Sequence, residues 1–393
     1  MTAAFSEQRA LPFMPVEYVQ PEFSRSKIEA AGKALAGTLT NVEEAVGVFA
    51  IAHNWRNAHV FPMRRVRYEL GGLTRRANAT GAITAARIKR MKSIRKKLRE
   101  TPLTLYQIQD IGGCRAIVGT VDQLRAIVRL YEQGQSRHGI IKPWDYIDSP
   151  KPDGYRSYHL ALKFTGQGDE GVYNRQRIEV QIRTRLQHVW ATAVEAVGVV
   201  RGEDLKGGKG NGDWLRLFAL MSSEIAILEL ATTVPGIPES ESERREELRH
   251  LNNKLAAADN LRCWNSAIRI TDQISTSLSK FYVVQYDPDT QQVTVEPALR
   301  ISQGYENLIQ EEQGHERRDT VFVEVDRAED LKDAYPNYFL DVGVFNNLLV
   351  GAVDGRSADE LRQIISPVMP KAEPVPKPAY RGILRFGRWA RLS

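Results

Sequence analysis

Apolar positions recur with helical spacing in the first part of the chain. Ser24 to Tyr68 is predicted to be mostly helical, with Val46, Phe49, Ala50 and Trp55 as an apolar stripe. A basic helix is predicted next, about Thr84 to Arg99, ended by Pro102 because proline cannot continue the hydrogen-bond ladder. The period then changes. Arg115 to Val118 reads as a short strand entered through Gly112-Gly113, and Val121 to Glu132 as an amphipathic helix. His159 to Phe164 and Arg177 to Arg183 alternate with period two, as half-buried strands do. Arg185 to Val199 reads as a helix, and the Gly- and Lys-rich stretch Gly202 to Gly212 as a mobile loop. Trp214 to Leu230 is helix-rich, a charged linker lies around Pro238 to Glu247, and helix signals resume through Asn252 to Leu278. Lys280 to Glu296 reads as a hairpin turned at Asp287-Pro288-Asp289, and Thr320 to Val325 as a further strand. The tail after Pro367, with Pro370, Pro374, Pro376, Pro378 and basic residues, is expected to be disordered. The pattern is a mixed sheet with flanking helices, α+β or α/β, without internal repeats.

At 393 residues the chain has room for two or three domains. A net charge of +6 and a pI near 9.2 favour a polyanionic partner such as a nucleotide or RNA. Two cysteines, Cys114 and Cys263, exclude a disulfide framework and a Cys-rich zinc site. The first residues lack the apolar core of a signal peptide, and the longest apolar run, Val46 to Ala52, is far too short for a membrane span. A cytoplasmic protein without a membrane partner is expected.

Four constellations carry candidate chemistry. In the basic segment Arg87 to Arg99, Met91, Ile94 and Leu98 form the buried stripe, and Lys89, Ser93 and Lys97 share another face. Two ammonium groups and a hydroxyl in line suit a triphosphate; a solvated basic face weighs equally. In Asp110-Ile-Gly-Gly-Cys-Arg115 the glycines allow close backbone approach and the Arg115 guanidinium can stack on a base, although a turn-starting Asp with a surface Arg is the commoner case. In Lys151-Pro-Asp-Gly-Tyr155-Arg-Ser-Tyr-His159, the Asp153-Gly154 turn displays Tyr155 beside Lys151, Arg156 and His159, which suits base stacking with phosphate contact. An ordinary hairpin turn accounts for it equally well. In Arg177-Ile-Glu179-Val-Gln181-Ile-Arg183-Thr184, Ile178, Val180 and Ile182 point to one face and Glu179, Gln181 and Arg183 to the other. That polar row is a solvent face or an active-site floor. Its central carboxylate can hold Mg²⁺ together with Asp110, or accept a proton from an attacking hydroxyl.

Taken in order over roughly Asn54 to Val199, these four motifs resemble the RelA/SpoT synthetase domain. The resemblance implies a nucleotidyltransferase-like mixed β-sheet with flanking helices, an α+β fold, and transfer of the β,γ-pyrophosphate of ATP to a ribose hydroxyl. It implies that Arg87 and Arg115 sandwich the adenine, and that Lys89, Ser93 and Lys97 hold the ATP phosphates. Asp110 and Glu179 would bind Mg²⁺, Glu179 also activating the acceptor hydroxyl. Tyr155 would stack on the acceptor base, with Lys151 and His159 near its phosphates and Gln181 and Arg183 supporting the site. Long family members carry an upstream His-Asp hydrolase; with seven histidines and no His-Asp pair, none is expected here.

Asn54-Trp-Arg-Asn-Ala-His-Val-Phe61 and Tyr335-Pro-Asn-Tyr338 are similar to CapRel-type fused toxin–antitoxins. That subgroup pyrophosphorylates the tRNA 3′-CCA end, and a metal-free zinc-finger-like domain covers its ATP site through a Tyr-x-x-Tyr motif. His250, Cys263 and His315 are too few for structural zinc. The implied organisation is a synthetase (toxin) domain over 1–235, a helical linker over 236–279, a small α+β regulatory (antitoxin) domain over 280–365 and a basic tail over 366–393. Tyr335 and Tyr338 would be regulatory, and a phage protein binding the C-terminal domain would be the trigger in anti-phage defence. Arg64, Arg65, Arg67, Arg75, Arg76, Lys206 and Lys209 are expected to form a positive approach surface for the tRNA end. The alternatives are a (p)ppGpp synthetase acting on GDP or GTP and a non-catalytic RNA-binding regulator, the latter disfavoured by the intact Asp110, Glu179 and Tyr155.

Overall fold

The computed structural model describes residues 18–39, 41–267, 269–271, 280–287, 289–290, 292–298, 300–314, 319–326, 330–335 and 342–365. Helices α1 (Arg25–Ala36), α2 (Val42–Ala58) and α3 (Val60–Arg76) lead into β1 (Ile83–Ile88) and α4 (Met91–Glu100). There follow β2 (Gly112–Val118), α5 (Val121–Glu132), β3 (Gly139–Asp145), β4 (Tyr158–Lys163), β5 (Arg177–Thr184), α6 (Arg185–Arg201) and α7 (Gly212–Leu228). The remainder comprises α8 (Glu241–Leu255), α9 (Ala257–Ala267), β6 (Arg269–Thr271), β7 (Phe281–Asp287) and β8 (Gln292–Ala298). It ends with α10 (Ile301–Gly314), β9 (Asp319–Glu324), α11 (Asp330–Ala334), α12 (Gly343–Val353) and α13 (Ala358–Ile365).

The described strands form one mixed sheet in the order β3-β4-β5-β2-β1-β9-β7-β8-β6, so the fold is α+β. β2 and β5 are parallel, as are β6 and β8; the other pairs are antiparallel. Val60, Met63 and Leu70 of α3, Leu124 and Ile127 of α5, and Tyr305 and Leu308 of α10 cover one face, against Cys114, Ile178, Val180, Ile182 and Phe322. On the opposite face Leu331 and Ala334 of α11, with Tyr335, pack on Ile83, Ala85, Ile117, Val284 and Val323. Helices α6 to α9 with α12 and α13 form a separate apolar cluster around Trp214, Phe218 and Phe345. A fourth cluster joins α1, α2 and α4 through Ile28, Trp55, Met91, Ile94 and Leu98.

Several local expectations are corrected. The first part of the predicted basic helix is the strand β1. Ile83, Ala85, Ala86 and Ile88 are all buried, because a central strand covered on both faces loses its alternation and reads like a helix segment. Helix α4 starts only at Met91, after the extended Arg90. The stretch taken as a charged linker is largely α8, capped by Ser240, with Arg244 and Arg245 turned inward onto Glu224 at 2.8 and 3.4 Å. Helix signals past Asn252 stop at Ala267, before β6. Strand β3 escaped notice because it is a largely exposed edge strand, where Pro143 is tolerated. In α2, Ala52 and Trp55 are buried but Val46 is 66% exposed. The segment Gly202 to Gly212 is mostly exposed but anchored at points: Leu205 is buried, and Asp204 and Lys209 pair with Lys96 (2.6 Å) and Glu100 (3.1 Å) of α4. The tail after Pro367 and most of the Tyr335-Pro-Asn-Tyr338 motif, including Tyr338, lie outside the described residues, as does His315.

Candidate active site

Strand register assembles the site. Arg115 pairs with Ala85 on β1 and with Gln181 on β5, while Gly113 pairs with Arg87 and Glu179, and His159 on β4 pairs with Gln181. Side chains at paired positions share a face, so His159, Glu179, Gln181, Arg183, Arg115 and Arg87 all stand on one side of four adjacent strands. On the opposite face Gly112 lets α3 lie close to the sheet: a Cβ there would lie 2.9 Å from Ile178 Cδ1 and 3.2 Å from Met63 Cβ.

The polar residues of β4 and β5 close into a ring of hydrogen bonds. Glu179 Oε1 lies 3.1 Å from His159 Nδ1, and His159 Nε2 lies 2.8 Å from the Tyr155 hydroxyl. Arg183 Nη2 donates to the Tyr155 oxygen (2.7 Å) and to Gln181 Oε1 (2.9 Å), and Gln181 Nε2 donates to Glu179 Oε2 (2.7 Å). With a neutral imidazole, the tautomer consistent with this ring carries its proton on Nδ1, leaving Nε2 to accept from Tyr155. Burial pushes the Glu179 carboxyl up, but the His159 hydrogen bond, reinforced by charge when that ring is protonated, and the Gln181 amide hold it below its ordinary value.

Tyr155 is half-buried rather than fully displayed, edge-on to Tyr146 and Trp190, and Lys151 Nζ stands 5.2 Å from its ring centroid. Arg156, expected beside it at the surface, is buried instead and donates to Ser222 Oγ, Ile147 O and Thr232 O. The turn before Tyr155 depends on Gly154, whose φ is +93° and whose Cβ position lies 2.9 Å from both Trp190 Cζ2 and Ser222 Cβ. Gly154→Ala is therefore expected to lose about 1–3 kcal/mol in urea unfolding. It should also weaken acceptor binding by moving Tyr155; unchanged stability would show that the turn accommodates a side chain.

Asp110, just before β2, bridges Lys97 of α4 and Lys89, which precedes the helix instead of sharing its face as expected. Its Oδ2 and Oδ1 accept from Lys89 Nζ and Lys97 Nζ, each at 2.8 Å. Burial raises this carboxyl, but the two ammonium charges outweigh it and hold it far below the usual carboxylate range. Lys89, Ser93 and Lys97, with Arg87, line a cavity of about 870 Å³ between α4, α6 and the 202–207 segment. Seven basic side chains against four acidic ones line it, which suits a nucleotide polyphosphate in volume and in sign.

Sequence reasoning missed part of this lining. Glu195, an isolated acid in the apolar run of α6, faces Lys206 at 3.4 Å. Burial opposes ionisation of Glu195, but Lys206, Arg87, Arg90 and Arg115 hold it down to about 2. Its position inside an otherwise apolar helix was the available signal. Tyr286 and Val321, from β7 and β9, also reach the cavity wall.

Arg115 does not line this cavity. It donates through Nη1 to the carbonyl of Ala334 (2.9 Å), its guanidinium carbon lies 5.8 Å from the Tyr335 ring centroid, and Tyr335 is 2% exposed. Burial, followed by the charges of Arg183 and Arg87, lowers Arg115 to about 10. His188 Nε2 lies 2.9 Å from Asp333 O, so the α11 end is tied to α6 as well. Of the expected approach surface, the half-buried Arg64 and the buried Arg67 instead pair with Glu324 at 3.0 and 3.4 Å, and Arg67 also meets Asp326 at 2.7 Å. Arg75 and Arg76 remain exposed.

Among the described residues, no cluster of three or more His, Cys, Asp or Glu side chains is placed to hold a metal, and no helix is long and apolar enough to cross a membrane. Asp110 and Glu179 are close enough for the Asp110 charge to raise the Glu179 carboxyl, and both are held by protein donors, Asp110 by Lys89 and Lys97 and Glu179 by His159 and Gln181.

Residues 86–198 match the family described as "Region found in RelA / SpoT proteins". The chain is 35% identical over 112 residues to GTP pyrophosphokinase YjbM of Bacillus subtilis, covering 27% of this chain and 51% of that protein. It is 33% identical over 115 residues to GTP pyrophosphokinase YwaC of the same organism, covering 28% and 54%. The chain thus spans about half the length of the curated relatives it matches. Among solved structures, the small alarmone synthetase 1 of Bacillus subtilis bound to its product pppGpp is 27% identical, covering 34% of this chain and 75% of that one with a TM-score of 0.29. The small alarmone synthetase 2 of Bacillus subtilis is 24% identical, covering 44% and 91% with a TM-score of 0.37.

Proposed function

We propose that this chain, whose residues 86–198 form a RelA/SpoT-type region, is an ATP pyrophosphokinase that modifies the 3′-hydroxyl of the tRNA 3′-CCA end and is restrained by its own C-terminal segment. The observation that carries the transferase reading is the single sheet face that sets Glu179 and His159, with Tyr155 hydrogen-bonded to His159, beside a basic cavity walled by Lys89, Ser93 and Lys97. Lys89, Ser93 and Lys97 hold the ATP phosphates, Arg87 and Arg115 flank the adenine, and Tyr155 stacks on the acceptor base with Lys151 nearby. The acceptor oxygen attacks the β-phosphorus. The new O–Pβ bond forms as the bond from Pβ to the α,β-bridging oxygen breaks, AMP leaves, and the hydroxyl proton passes to Glu179. His159 and Gln181 currently donate to that carboxylate, so its work as a base requires those bonds to loosen as the acceptor enters. Asp110 and Glu179 would hold Mg²⁺, which when bound offsets the negative charge on the transferred phosphates.

Restraint is supported by the contacts of Ala334 and Tyr335 with Arg115, which occupy the guanidinium assigned to the adenine. Sequence similarity to CapRel-type fusions supports the tRNA acceptor and a phage protein as the agent that releases the segment. The relatives' names favour a second reading, alarmone synthesis on GDP or GTP. Incubation with γ-³²P-ATP and either bulk tRNA or GDP separates the two. Label is expected in tRNA, falling steeply as salt rises. Reversing the charge of the exposed Arg75 and Arg76 should reduce that label while sparing ATP binding. Efficient labelling of GDP, with none in tRNA at low salt, would establish the alarmone reading instead.

A further inference from the structure

We propose that Glu312 occupies a phosphate-binding subsite built from the Arg56 guanidinium and the N-terminal amide of α4. Arg56 is 0% exposed, and its Nη1 donates to Glu312 Oε2 at 2.7 Å. The other carboxylate oxygen, Oε1, accepts from Met91 N, the first amide of α4, at 3.2 Å. One carboxylate from α10 therefore bridges a buried cation and a helix N-terminus that has no side-chain cap and no acid in its first turn.

The match between Arg56 and this carboxylate is incomplete. Nε and Nη2 of Arg56 are buried with no hydrogen-bond partner among the described residues. A guanidinium kept for a structural ion pair is stable only when its remaining donors are satisfied, since each orphaned donor costs desolvation energy. A tetrahedral phosphate offers more acceptor oxygens than a carboxylate, so it can engage Nε or Nη2 while keeping the bonds to Nη1 and Met91 N. Uncapped amides and the positive end of the helix dipole favour the same ligand. The residues on either side of Met91, Arg90 and Lys92, line the basic cavity, which places the subsite one residue behind its wall. Glu312 approaches from a helix more than two hundred positions further along the chain, so the charge that fills the subsite belongs to the covering segment.

The proposal deepens the restraint proposed above by adding a second contact, that of the Glu312 carboxylate, that must leave. It is tested without turnover, so an absent phosphate response leaves the transferase reading standing, and absent transfer leaves the subsite standing. Thermal unfolding of the full chain is followed against inorganic phosphate at ionic strength matched with chloride. Glu312→Ala is expected to melt below the wild type in chloride and to gain about 2–4 °C at millimolar phosphate. That gain should be absent from the wild type and from Glu312→Ala/Arg56→Met. Glu312→Gln, which keeps the side-chain volume, should need roughly tenfold more phosphate, in line with a smaller ligand-linked shift. A non-hydrolysable ATP analogue and a short single-stranded RNA, tested on the same variants, identify whose phosphate the subsite takes. Equal shifts in all variants, or no shift in either Glu312 variant, would overturn the proposal.

Discussion

Asp110→Asn and Glu179→Gln are each expected to reduce pyrophosphate transfer by roughly 10²–10³-fold or more, the scale at which losing one charge-stabilising group slows such reactions. Both substitutions keep side-chain shape. Asp110→Asn would leave Lys89 and Lys97 without the carboxylate that now lies 2.8 Å from each, and would remove one of two hard-oxygen donors. Glu179→Gln would keep the ring with His159 and Gln181 only in part, while losing both the charge and the proton acceptor. Circular dichroism and melting separate a chemical from a structural loss. Near-normal transfer by either variant at saturating Mg²⁺ would show that these carboxylates merely order their neighbours.

Tyr335→Ala is the second large effect, and it runs in the opposite direction. The ring is almost wholly buried among Ile83, Ala85, Ile117 and Leu331, so its truncation should destabilise this part of the packing by about 3–5 kcal/mol. If the C-terminal segment restrains the enzyme, a penalty of that size shifts the closed-to-open balance by more than 10²-fold, and transfer and toxicity on expression should rise together. Tyr335→Phe keeps the ring over Arg115 and should remain restrained. Wild-type activity in Tyr335→Ala, with normal ATP binding, would argue against restraint by this residue.

The polar row Glu179, Gln181 and Arg183 was legible in the chain because the alternation of Arg177 to Thr184 fixes which side chains share a face, and the strand register agrees; its closure into a ring through His159 and Tyr155 was not. The buried stripe Met91, Ile94 and Leu98 was legible for the same reason: a helix has a fixed period. Strand β1 was not, since burial on both faces erases the period that would reveal it.

The amino-acid sequence by itself determined the motif residues, the faces they occupy and the mixed character of the sheet, all properties of neighbours along the chain. Tertiary structure alone decided what meets those residues from far away. Strand β9 pairs with β1 beside Arg87, Ala334 meets Arg115, and Glu312 meets both Arg56 and Met91. Arg64 and Arg67 look like surface charge in the sequence, and become ion pairs withdrawn from the surface only because Glu324 arrives on that added strand. A local pattern records which way a side chain points. It holds no record of a partner whose approach depends on how the strands order themselves in the sheet, and that order is set by packing of the whole chain.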